Sequence, residues 1–80
     1  MYSTKFESEE EITPYLATAY AEGFCEGENA SEIDQLHAWS YLCGTKHGYS
    51  LQGFFGRTLR GLIEQGYLDE DGNILKELNG

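Results

Sequence analysis

The sequence predicts a small, mainly α domain of three helices followed by a short C-terminal β-hairpin. Three observations predict it. Apolar residues recur at three- and four-residue spacing over three separate stretches, each stretch has its own start residue (Thr13, Ser31 or Ser50), and an Asp71-Gly72 pair near the end is flanked by apolar residues. Eighty residues make one domain, 1–80, with residues 1–12 open to reading as a flexible acidic arm. A chain this short buries only about 60% of the surface that its unfolded form exposes. Its stability is therefore marginal, and self-association would support it.

The first helix starts at Thr13, an acceptable N-cap, with Pro14 at the first helical position, where its missing N–H does no harm. Leu16, Ala19, Tyr20, Gly23 and Phe24 fall on one stripe, and Gly27 and Asn29 end it. Upstream, Ser8 followed by Glu11 has the spacing of a capping box, so Glu9–Ile12 forms either a separate turn or a strand-like arm. The second helix begins after Ser31, whose partner three residues on is Asp34, and ends at Gly44 in the left-handed position that favours glycine. Ile33, Leu36, Trp39, Leu42 and Cys43 make its core face, and His37 lies at the margin as a satisfied structural histidine.

Ser50 caps the third helix, whose apolar stripe is Leu51, Phe54, Phe55, Leu59 and Leu62. This helix is unusual in carrying Gly53, Gly56 and Gly61, each costing about 1 kcal/mol relative to alanine. Opposite the apolar stripe, Gly53, Arg57, Arg60 and Glu64 line up at four-, three- and four-residue steps, so bare backbone and two guanidinium groups share a face. Gln52 borders the buried side of the same helix. After Gly66, Tyr67-Leu68 and Ile74-Leu75 flank Asp71-Gly72 as the arms of the expected hairpin. A helix, a turn, a second helix and a hairpin also fit a winged-helix-like arrangement.

Charge divides the chain. The net charge is −9, yet residues 35–63 contain no acid and hold Lys46, Arg57 and Arg60, while Glu9, Glu10 and Glu11 open an acidic end. So acidic a balance disfavours direct DNA binding, since affinity for phosphates comes from basic residues, and Asp69, Glu70 and Asp71 would drive a wing away from DNA. A winged-helix nucleic-acid regulator is the weakest of three functional readings. No apolar run is long enough for a membrane span, no signal peptide is visible, and Cys25 and Cys43 are expected as reduced thiols in a cytoplasmic setting. The Asp69–Gly80 stretch misses the glycine and glutamate positions of a calcium loop, and the cysteines and histidines lack zinc spacing, so no metal or cofactor is expected. No nucleophile setting or phosphate-cradling glycine loop is present, and a single small chain offers little room for a pocket, so the expectation is a non-enzyme.

Residues 37–66, "HAWSYLCGTKHGYSLQGFFGRTLRGLIEQG", resemble a group of short bacteriophage proteins with an Ala-Trp-x-x-Leu segment, then Leu-Gln-Gly-x-x-Gly-Arg and Leu-Ile-x-x-Gly. The matching residues are Ala38, Trp39 and Leu42, then Leu51, Gln52, Gly53, Gly56 and Arg57, then Leu62, Ile63 and Gly66. The resemblance covers under half the chain and implies a phage origin, hence the cytoplasm of a host cell, without implying an activity.

Two binding functions follow as expectations. In the first, an acidic protein with DNA-mimic character inhibits a host protein or defence complex, with Glu9, Glu10 and Glu11 steering it to a basic surface. In the second, a homo-oligomer sequesters a small nucleotide signal in a cleft between copies. Arg57 and Arg60 would then meet phosphate, bare Gly53 would let the ligand approach, Trp39 and Gln52 would stack on and read a base, and Lys46 is a further candidate for ligand or partner binding.

Overall fold

The structure, a computed structural model, describes residues 1–22, 31–46 and 53–76, with Phe54 described by its backbone alone. Local rules set the helix starts where they can be seen. Thr13 caps α1 (Pro14–Glu22) by accepting from Leu16 N at 3.1 Å, and Ser31 caps α2 (Glu32–Gly44) by accepting from Asp34 N at 3.1 Å. Glu32 and Asp34 sit in the first turn of α2, where the helix dipole favours them. The expected end of the first helix at Gly27 and Asn29, and the Ser50 cap with Leu51 and Gln52, lie outside the described residues.

The core gathers side chains from the whole chain. α1 and α2 pack together, Ala17, Leu36, Ala38, Leu42 and Cys43 are fully or nearly fully buried, and α3 (Gly53–Glu64) adds Phe55 and Leu59. Trp39, 7% exposed, lies between α2 and α3, its ring 5.6 Å from that of Phe55. Cys43 is buried and is not part of a disulfide. His37 Nδ1 is 2.8 Å from Ser3 Oγ, so the histidine at the margin has a polar partner.

The acidic segment before α1 carries two core side chains, Phe6 and Ile12. Phe6 stacks on Tyr20 with ring centroids 4.2 Å apart. An isolated antiparallel bridge pairs Lys5 with Glu11, Glu9 closes the loop at a φ of 71°, and Glu7 N donates to Asp34 Oδ1 at 2.8 Å. The segment is thus tied to α1 and α2 while Glu9, Glu10 and Glu11 themselves stay exposed.

Two expectations are corrected. Gly44 is the last helical residue of α2 and does not take the left-handed conformation; Lys46 does, at a φ of 62°. What Gly44 supplies is room, because any Cβ there would run into the Tyr2 ring. The expected β-hairpin is also absent among the described residues, which contain no strand. An isolated antiparallel bridge between Leu68 and Ile74 closes a turn instead, so the winged-helix-like arrangement loses its wing.

The reason lies in how α3 ends. Gly66, at a φ of +83°, donates to Ile63 O and Tyr67 N donates to Leu62 O, the paired bonds of a Schellman motif. Tyr67 N is therefore spent on the helix. The Asp69 carboxylate then takes up Asp71 N, Asn73 N and Asn73 Nδ2 at 2.8–2.9 Å, which curls residues 69–73 into a compact turn. Buried Ser40 binds this turn to the N-terminus: its hydroxyl accepts from Ser3 N at 2.8 Å and donates to Gly72 O.

Candidate functional groove

Burying Phe55 and Leu59 fixes the rotation of α3 and turns the opposite row outward. Arg57 and Arg60 are exposed, and among the described residues neither is engaged in an ion pair or hydrogen bond. Gly53 begins the row, and an added methyl there would sit 3.2 Å from Arg57 Nη1. The molecule that comes close to the bare backbone of Gly53 is thus its own arginine, folded back by one turn. Gly56 faces open space, with nothing within 4 Å of where a Cβ would sit.

Lys46 reaches the same place from α2. Thr45 N returns to Tyr41 O and Lys46 N to Cys43 O, and the left-handed φ of Lys46 turns the chain so that its Nζ donates to Glu70 O at 2.8 Å. Glu70 is held there by the Asp69 turn, and the Cys43 thiol makes long contacts of 3.6 and 3.7 Å to the carbonyls of Asp69 and Glu70. The Asp69 carboxyl is held below the usual carboxylate range, first by the side-chain hydrogen bond from Asn73 and then by the backbone N–H groups of Asn73 and Asp71.

Together these elements enclose an open groove of about 790 Å³. Among the described residues it is lined by the cations Lys46, Arg57 and Arg60, by Gly53 and Gly56, and by Ile63 with the carboxylates Glu64 and Glu70. The volume falls in the range of small-molecule sites, about 300–1,000 Å³.

Four residues expected at a site, Lys46, Gly53, Arg57 and Arg60, converge on this groove. Gln52 lies outside the described residues. Glu9, Glu10 and Glu11 are exposed on the N-terminal loop and do not line it. Trp39 cannot serve as a stacking platform, because it is buried against Phe55; that expectation is corrected. Sequence reasoning missed Glu70 as a groove residue, since only the fold brings the 69–73 turn beside the end of α2. Among the described residues no group of three or more His, Cys, Asp or Glu could hold a metal, and no helix is long and apolar enough to cross a membrane. No protein-family model, curated protein or solved structure matches the chain.

Proposed function

We propose that the protein is a non-catalytic binding protein that sequesters a phosphate-bearing small molecule in the groove. One observation carries this reading: Lys46, just past the end of α2, and Arg57 and Arg60 of α3 line one groove together with Gly53 and Gly56. Guanidinium groups present paired donors that match phosphate oxygens, lysine adds a point charge, and the missing side chain at Gly56 lets a ligand come near. Among the described lining residues none is a nucleophile set beside a base, which favours holding over turning over. The phage-like sequence of residues 37–66 gives a setting in which a protein withholds a host signal molecule during infection. Native mass spectrometry of protein drawn from infected cells tests the proposal. It predicts a small mass adduct that is lost in Arg57→Ala/Arg60→Ala; an adduct-free parent protein, under conditions where a control nucleotide-binding protein keeps its ligand, would contradict it.

A second reading is favoured by the N-terminal loop. Glu9, Glu10 and Glu11 are exposed on a segment anchored by Phe6 and Ile12, a pre-set acidic surface suited to steering onto a basic host protein. Affinity capture from a bacterial lysate at low and high salt separates the readings. An acidic inhibitor releases its protein partner as salt rises, because screening shortens electrostatic reach from about 10 Å at 0.1 M to about 3 Å at 1 M.

A further inference from the structure

The groove contains two carboxylates that a site for a bare polyanion would not carry. Glu64 and Glu70 line it beside the three cations, both are exposed, and among the described residues neither side chain is taken up by a hydrogen bond or ion pair. Each would repel a ligand that offered phosphate along its whole length. Glu64 is also placed against helix electrostatics: it stands in the last turn of α3, where the macrodipole favours cations, and that turn holds no basic residue. Local stability thus gains nothing from Glu64, as it gains nothing from Gly53 and Gly56 on the same side.

The order of charges along the helix separates two kinds of contact. Arg57 and Glu64 are seven residues apart, about 10 Å of axial rise, and Arg60 and Glu64 are four apart, about 6 Å. Between them lies the partly buried Ile63, and the bare backbone of Gly56 flanks the row at the Arg57 end, a surface that suits a flat or apolar ligand body. On the far wall Lys46 and Glu70 also line the groove, joined by the bond from Lys46 Nζ to the main-chain oxygen of Glu70.

Building on the phosphate-binding reading, we infer that Glu64 and Glu70 are specificity residues that select a ligand with phosphate at one end and hydroxyl or amino donors at the other. A mononucleotide or sugar phosphate has this chemistry; pyrophosphate, polyphosphate and nucleic acid backbone do not. The cations supply attraction common to all phosphates. The carboxylates accept hydrogen bonds from the donor end and turn away ligands that have only charge there.

Calorimetric titration of the full chain with ADP, ribose 5-phosphate, pyrophosphate and adenosine tests this. ADP and pyrophosphate carry similar charge, so their ratio isolates the donor end. ADP binding about tenfold or more tighter than pyrophosphate is expected, the scale of one hydrogen bond to a charged group. Glu64→Gln should bring the two within about threefold by raising pyrophosphate affinity and lowering that of ADP, while Arg57→Ala weakens both. Ribose 5-phosphate shows the source of the donors: an affinity near that of ADP assigns them to the sugar, and a much weaker one assigns them to the base. Pyrophosphate binding as tightly as ADP to the parent, or an ADP preference unchanged in Glu64→Gln, would overturn the selection by carboxylates and leave the phosphate site standing. Failure of all four probes to bind would overturn both.

Discussion

Gly72→Ala probes the junction on which the groove depends. Gly72 sits in the turn that carries Glu70, at a φ of +86°, and a Cβ there would lie 2.6 Å from Ser40 O, 2.8 Å from Gly44 N and 2.9 Å from Tyr2 Cβ. Two costs combine. An L side chain in left-handed backbone costs roughly 1–2 kcal/mol, and overpacking against neighbours costs about 1–3 kcal/mol. Two of the three neighbours are backbone atoms, which cannot swing away as a side-chain end could. The expected loss is about 2–5 kcal/mol, against a total stability of about 4–12 kcal/mol for 80 residues. Urea denaturation followed by the fluorescence of buried Trp39 measures it. Gly56→Ala is the internal control: it meets nothing within 4 Å and should stabilise the helix by up to about 1 kcal/mol. If Gly72→Ala were to unfold within about 0.5 kcal/mol of the parent, the close packing of N-terminus, α2 and turn would be wrong.

The other predictions follow from the same contacts. Gly53→Ala should leave the fold intact or gain up to about 1 kcal/mol while weakening phosphate binding, because the new methyl displaces the Arg57 guanidinium 3.2 Å away; thermal melts and calorimetry on one sample read both effects. Trp39→Ala removes a core ring between α2 and α3 and should cost about 3–5 kcal/mol, read as a collapse of the circular dichroism melt. Asp69 has a folded pKa below its unfolded value, so its contribution is present above about pH 4 and is lost as pH falls further through the folded value; Asp69→Asn should flatten that acid limb in stability measured against pH. Replacing Glu9, Glu10 and Glu11 together by glutamine should leave the melting curve close to the parent's and slow association with any basic protein partner at low salt, as stopped-flow rates would show.

What the sequence made legible was local chemistry. Thr13 and Ser31 announce helix starts because a short hydroxyl side chain has one evident use beside free N–H groups, and Gly66 announces an end because left-handed backbone favours it. The row Gly53, Arg57, Arg60 and Glu64 was readable from 3.6-residue periodicity, and Trp39 from its stripe. Contacts between distant segments were not readable. No periodicity tells that Phe6 stacks on Tyr20, or that Gly44 and Gly72 exist to let Tyr2 and the Ser40 backbone close in. The hairpin signal at Asp71-Gly72 was real as a turn. It did not extend into strands because Tyr67 N is committed to capping α3, a competition that only the folded chain reveals. Glu70 entered the groove for the same reason, carried there by a turn whose position depends on Ser40 and Cys43.

The central claim, that α3 and Lys46 form a phosphate-binding groove, is tested most directly by amide NMR during titration with ADP. Saturable shifts centred on Lys46, Gly53, Gly56, Arg57 and Arg60 are expected, and they should disappear in Arg57→Ala with the rest of the spectrum preserved. Shifts centred instead on Glu9–Glu11, or spread evenly over the molecule without saturation, would contradict it.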